Sequence, residues 1–245
     1  MQFVSVVLQI IIESLPVSSS GHAQLLGLSL PDSIDRLTGG ATVIVLMIYF
    51  FRDIVFWINY GINKPKKIFS FLLLIMMADS VTVFLYTLLK AVSPVFPLWF
   101  GFLITALALL SLAWRVHDAQ KNIDYKSFFL IGLVQGIACL PGISRLATTY
   151  TAAAWSGYPP AVAFRISCAL QIPLFAAGFL EGLHTLWPQR FALQIDLLHV
   201  VMIIGAMIGA YLLLWLVEKL MKSHTLWYLG WYMFIPVFVA YIRGM

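Results

Sequence analysis

Six apolar runs of near-bilayer length dominate this chain, at roughly residues 37–56, 68–90, 95–114, 159–181, 197–217 and 225–243. A helix crossing a hydrocarbon core of about 30 Å needs about 20 mostly apolar residues. In lipid, backbone polar groups are satisfied only inside helices or closed barrels. The pattern therefore predicts an all-α polytopic membrane protein. Charge content agrees, with 10% of 245 residues charged and 62% hydrophobic, against about a quarter charged in a soluble domain. The net charge of +5 sits in short loops, as the positive-inside rule expects, and does not call for a nucleic-acid partner. Cys139 and Cys168 both lie in apolar segments and read as small buried hydrophobes, not a disulfide. No signal peptide is expected: no Lys or Arg precedes the first apolar run, and Gln9 and Glu13 interrupt it.

Two further apolar stretches are too short to span. Residues 1–15 end at Leu15-Pro16, and residues 127–140 end at Leu140-Pro141. Each is followed by a polar turn and a second short segment, at about 22–30 and 146–156. That is the pattern of a re-entrant pair, which enters the membrane, turns and leaves on the same side. Irregular backbone at that depth must be buried in protein or line a wet cavity. The stretches also resemble each other, Q-I-I-I-E-S-L-P-V-S from Gln9 and Q-G-I-A-C-L-P-G-I-S from Gln135. Three spans follow each, so the chain reads as one integral membrane domain, 1–245, built as an inverted-topology repeat. Repeat 1 covers about 1–114 with its re-entrant pair at 1–30. Repeat 2 covers about 127–245 with its pair at 127–156. Interrupted helices at matching places in two halves point to a site at the repeat interface.

Basic residues orient the chain. Ten of them (Arg52, Lys64, Lys66, Lys67, Arg115, Lys121, Lys126, Arg165, Lys219 and Lys222) fall on one side of a six-span topology. Arg36, Lys90, Arg190 and Arg243 fall on the other. The bias puts the ten in the cytoplasm and both termini outside. The first pair then enters from outside and the second from the cytoplasm, so the two turns meet near mid-membrane.

Gln9 and Glu13 are four residues apart and share a helix face. A carboxylate facing lipid is costly, so Glu13 is expected to face a polar cavity. Ser18, Ser19, Ser20 and Gly21 form the turn after Pro16, and His22 opens the next short helix. Hydroxyls and free N–H groups in such a turn suit an anion, although one serine alone could simply cap the helix. In the second turn, Arg145 is the sole Lys or Arg between Lys126 and Arg165. Its planar fork matches phosphate oxygens, and the competing reading is a structural ion pair with Glu13 or Asp79. Glu13, the serines, His22, Arg145 and Thr149 around one anion resemble a phosphoryl-transfer site. Asp79 lies mid-span, where an acidic residue is a functional candidate by default.

These motifs resemble the undecaprenyl-diphosphatase (bacitracin-resistance) family of integral membrane phosphatases. The family's (E/Q)-x-x-x-E and L-P-V-S-S-[ST]-G-H run from Gln9 to His22 in this chain. Its P-G-x-S-R-S-G-x-T is matched at Pro141, Gly142, Ser144, Arg145 and Thr149. I-D-R-L-T-G-G-A-T from Ile34, Y-F-F-R-D from Tyr49 and F-R-I-S-C-A-L-Q-I-P from Phe164 also align. The resemblance implies hydrolysis of undecaprenyl diphosphate to the monophosphate and phosphate, in a bacterial cytoplasmic (inner) membrane, with the site open to the outer, periplasmic side. It also implies the two re-entrant pairs and six spans. Ser19 would be nucleophile, with His22 or water the competing choices. Glu13 would be base or metal ligand, His22 proton donor and Arg145 the clamp. Gln9, Ser18, Ser20, Ser144 and Thr149 would contact substrate, with Asp35 and Asp79 accessory. A divalent cation, Mg2+ or Ca2+, is the implied cofactor. The polyprenyl diphosphate and the bilayer are the implied partners, with a homodimer as a candidate assembly. Leu146, Ala147, Gly39 and Gln9 depart from the family pattern and bear on rate, substrate preference and metal use. A lipid-phosphate transporter or a lipid-binding homologue with little turnover is the competing expectation.

Overall fold

The computed structural model describes residues 2–91, 93–115, 122–189 and 196–245. Lys121 and Arg190, used above to orient the chain, lie outside these. The described residues form helices and no strand: α1 (Gln2–Glu13), α2 (Ser19–Leu25), α3 (Asp32–Tyr49), α4 (Phe51–Asn63), α5 (Pro65–Leu89), α6 (Leu98–Ser111), α7 (Tyr125–Ile137), α8 (Arg145–Trp155), α9 (Pro160–Leu186), α10 (Leu197–Lys222), α11 (Tyr228–Tyr232) and α12 (Phe234–Ile242). Three of them, α5, α9 and α10, are long and apolar enough to cross a membrane, and α3 with α4 makes a fourth candidate if that bent pair counts as one span. The other apolar helices are shorter. Phe69, Met76 and Phe84 of α5 and Ile204, Ile208 and Trp215 of α10 face outward. An outward apolar surface suits a lipid solvent, where helices gain nothing by hiding it.

The helix ends follow from local chemistry. Pro65 and Pro160 stand at the first position of α5 and α9, where a missing N–H costs nothing. Asp124 caps α7 by accepting from the Ser127 N–H at 3.0 Å, and Asp196 caps α10 by accepting from the His199 N–H at 2.9 Å. Two expected spans are broken. The one at 37–56 turns by 69° between Tyr49 and Phe51. No proline forces this bend. Its corner is pinned instead, by the Tyr49 hydroxyl on Glu218 and by Asp53 paired with Arg165 at 3.2 Å. The span at 225–243 divides at Met233. Pro236 three residues on cannot donate to the carbonyl one turn back.

The two halves interlock in matched pairs. Helix α1 packs on α10, and α7 packs on α5. Helix α2 touches α12, and α8 touches α6. Helix α3 packs on α9, and ion pairs hold both ends of α9, Glu181 to Arg36 of α3 and Arg165 to Asp53 of α4. Small residues permit these approaches: a Cβ on Gly132 of α7 would stand 2.5 Å from the Ala78 carbonyl of α5.

Candidate active site

Both Leu-Pro turns end inside the bundle, against each other. In the first, Ser18 adopts φ 66°, a left-handed conformation that costs a non-glycine residue about 1–2 kcal/mol. Its hydroxyl accepts from the Gly21 N–H at 3.4 Å, capping α2. In the second, Gly142 takes φ 81° and Ser144 caps α8, accepting from the Ala147 N–H at 3.3 Å. Thr105 of α6 holds this turn: its hydroxyl accepts from the Ser144 N–H at 2.9 Å and donates to the Gly142 carbonyl at 3.1 Å. A Cβ on Gly21 would lie only 3.0 Å from the Gly142 Cα, so the turns touch through glycine backbone.

Gly101 makes this closeness possible from the α6 side, since a Cβ there would collide with the Pro141 carbonyl. Gly101→Val should therefore push the second turn off α6. We expect a loss of about 1–3 kcal/mol from overpacking, seen as a lower unfolding midpoint in detergent, together with loss of the site's function. An unchanged midpoint with full function would show that the turn tolerates the shift.

Between the turns lies a small cavity of about 40 Å3. Glu13, Ser18, Ser19, Ser20, Ser144 and Arg145 line it. Arg145 Nη2 donates to Glu13 Oε1 at 3.2 Å, and the guanidinium stacks over the Phe175 ring at 4.3 Å. The ion pair thus forms with Glu13, not Asp79. The Thr42 hydroxyl donates to the other Glu13 oxygen at 3.4 Å, and the Ser19 hydroxyl is within reach of the same carboxylate. The Glu13 side chain is 8% exposed and that of Arg145 31%, so the cation is the more open partner. A water molecule occupies about 30 Å3 in the liquid. On the scale of a cavity that holds one water, about 10–15 Å3, this one has room for a few while the pair is closed. The N-terminus of α8, with Arg145 as its first residue, faces the same point and favours an anion there.

The remaining candidates fall in different places. Gln9 is buried on α1 and donates from Nε2 to Asp35 Oδ1 of α3 at 2.8 Å. A carboxylate at position 9 would repel Asp35, so the amide suits its partner. Asp35 in turn lies within electrostatic range of Glu13 and Arg145. His22 does not line the cavity. Its Nδ1 bonds the Ser18 carbonyl at 2.8 Å and its Nε2 the Tyr232 hydroxyl at 3.1 Å. A carbonyl accepts only, so Nδ1 carries the proton, and in the neutral ring Nε2 accepts from tyrosine. Thr149 is buried, and its hydroxyl donates to the Arg145 carbonyl at 2.7 Å, within its own helix. Asp79 borders a separate cavity beside Pro173, and its buried Oδ1 has no hydrogen-bond partner.

The sequence reading did not single out Thr42, Thr105, Gln171 or Phe175. Thr42, Gln171 and Phe175 reach the site from α3 and α9; Thr105 only braces its floor. Thr42 and Gln171 do stand in the aligned stretches from Ile34 and Phe164. Nothing in the sequence marked Phe175. Leu146, a departure from the family pattern, lines the cavity where the family carries a serine.

No three Asp, Glu, His or Cys side chains gather to hold a metal among the described residues. The carboxylates at the site are Glu13, already paired, and Asp35, already bonded to Gln9. This donor set fits a cation shared with substrate phosphates, not one caged by protein alone.

Comparison with known proteins completes the description. The family model for bacitracin resistance protein BacA matches residues 2–239. The chain is 29% identical to a Borrelia hermsii protein named undecaprenyl-diphosphatase, over 96% of this chain and 94% of that one. It is 33% identical to a protein of the same name from Christiangramia forsetii, over 91% and 89% of the two chains.

Proposed function

This chain belongs to the bacitracin resistance protein BacA family, and from that membership we propose that it hydrolyses undecaprenyl diphosphate to undecaprenyl phosphate and inorganic phosphate, recycling the lipid carrier for cell-wall synthesis. It is a membrane phosphatase with a lipid substrate. The observation that carries the mechanism is the closure of Arg145 onto Glu13 beside Ser19, at the meeting of two helix breaks.

The diphosphate enters between the turns and takes Arg145 as its clamp, with the α8 N-terminus and Ser144 behind it. Glu13, released from the ion pair, accepts the Ser19 proton. Ser19 Oγ forms a bond to the terminal phosphorus. The bond from that phosphorus to the bridging oxygen breaks, and undecaprenyl phosphate departs with the bridging oxygen. Glu13 gives the serine proton to that departing phosphate; water then attacks the phosphoserine, giving its proton to Glu13, which passes it to Ser19 Oγ as the bond from phosphorus to Oγ breaks and inorganic phosphate leaves. Ser19 is favoured over its neighbours because Ser18 is spent as a cap and Ser20 is exposed. His22 serves by positioning, holding the Ser18 carbonyl and hence the turn. Glu13 would also hold a divalent cation, Mg2+ or Ca2+, jointly with the substrate phosphates. When bound, that cation neutralises charge on the diphosphate.

Six spans and two re-entrant pairs in an inverted repeat remain our reading of the architecture. The matched helix pairings between the halves support it. The ion pairs at opposite ends of α9, one to α3 and one to α4, support it too. With the basic loops cytoplasmic, the site opens to the outer face of the inner membrane.

The test is phosphate release from undecaprenyl diphosphate by purified protein in detergent, where transport is impossible. We expect release, its suppression by EDTA, and its return on adding Mg2+ or Ca2+. Movement of a labelled lipid phosphate across liposomes without release would replace this reading with transport.

A further inference from the structure

Arg145 is the clamp of the site, yet few groups hold it. Among the described residues its guanidinium makes one hydrogen bond, to Glu13. Asp35 lies within electrostatic range but is bonded to Gln9. In the hydrolytic reading Glu13 releases the arginine and becomes the base, so that one bond is lost as substrate arrives. The contact that remains is Phe175 of α9, whose ring centre lies 4.3 Å from Arg145 Cζ. A cation over an aromatic face is attracted by the ring quadrupole, more strongly where water is excluded. Phe175 is 6% exposed, so little water competes on its side. The ring takes no N–H in the way an oxygen does, so the fork that matches phosphate stays free.

The place of the ring is set by α3. Gly39 is buried there, and a Cβ on it would stand 3.2 Å from Phe175 Cδ1 and 3.2 Å from the Phe175 carbonyl. Carbon atoms pack best at about 3.5–4.0 Å, so a methyl group at position 39 would press on the ring. Helix α3 therefore meets α9 here as bare backbone, which leaves the ring the room it occupies beside Arg145.

We propose that Phe175 is a positioning residue for the reaction: its ring holds Arg145 in place while the guanidinium passes from Glu13 to the diphosphate, and Gly39 makes the room that puts the ring there. The inference rests on the hydrolytic reading above. Phe175 acts through Arg145 and not on the phosphate itself.

Phe175→Leu keeps an apolar side chain and removes the aromatic face. It is expected to lower kcat/KM for undecaprenyl diphosphate about tenfold, between the exposed and desolvated limits for such a contact. The loss should fall mostly on KM, since the ring holds the clamp in the bound state as in the transition state. Phe175→Tyr keeps the face and should recover most of the loss, and Gly39→Ala should act in the same direction as Phe175→Leu. The decisive measurement is a double-mutant cycle with Arg145. In an Arg145→Ala background Phe175→Leu should have no further effect, because the cation that the ring positions is gone. Loss by the same factor in both backgrounds, or in neither, would overturn the inference and leave the ring as packing alone. Binding of a methylene-bridged analogue of undecaprenyl diphosphate, which hydrolysis cannot cleave at the bridge, reads the same cycle without turnover. Its Kd should rise about tenfold with Phe175→Leu, and not at all where Arg145 is already alanine. That result without phosphate release from the natural diphosphate would leave the positioning standing and remove the hydrolysis. Phosphate release with an analogue Kd indifferent to Phe175→Leu would overturn the positioning and leave the hydrolysis standing.

Discussion

Ser19→Ala is expected to lower phosphate release from undecaprenyl diphosphate by about 10⁴-fold or more, the order seen when a nucleophile is deleted. The change removes one oxygen from a residue that does not cap α2, so insertion and folding should be unaffected. Rapid-quench measurement with terminally labelled substrate should trap label on the wild-type protein and none on the variant. A loss below about tenfold would pass the attack to water, with Glu13 as its base. That outcome would keep the cavity and its charges in their roles and change only the attacking atom.

Arg145→Ala should cost about 10²–10³-fold in kcat, the effect of removing one preorganised donor from a developing anion. It has a second consequence that Ser19→Ala lacks. Glu13 is left buried without its ion-pair partner, and breaking a buried pair on one side destabilises by about 3–5 kcal/mol. Arg145 is about one-third exposed, which puts this cost at the lower end. The double variant Arg145→Ala with Glu13→Gln removes both charges and should recover most of the stability but none of the activity. Arg145→Lys keeps the charge without the fork, and should recover part of the rate. Equal activity in all three variants would make the ion pair purely structural.

Much of this arrangement was legible along the chain because it is set by neighbours in sequence. A proline after each short apolar run ends a helix wherever it occurs. Ser18 and Ser144 cap the helices that follow through bonds three residues long. The sequence readily shows such features, since a chain too apolar for water has few other places for a carboxylate, three serines and an arginine. The resemblance to a family named the same residues on independent grounds.

Other features depend on contacts that no local pattern encodes. Glu13 and Arg145 are 132 positions apart, and the sequence offered Asp79 as an equal partner. Packing chose Glu13, because the two turns meet while Asp79 faces another cavity. His22 and Thr149 are hydrophilic and sit in the right motifs. Only the fold shows that their polar atoms are spent, on Ser18 and Tyr232 for one and on the Arg145 carbonyl for the other. The bend at Phe50 likewise has no breaker residue, and follows from anchors on α9 and α10. The sequence by itself determined where this chain must stop being lipid-soluble helix, because proline, glycine and charge carry that cost locally. Which of the freed groups face one another was decided by tertiary packing alone, because their distances are set by how the two halves interlock.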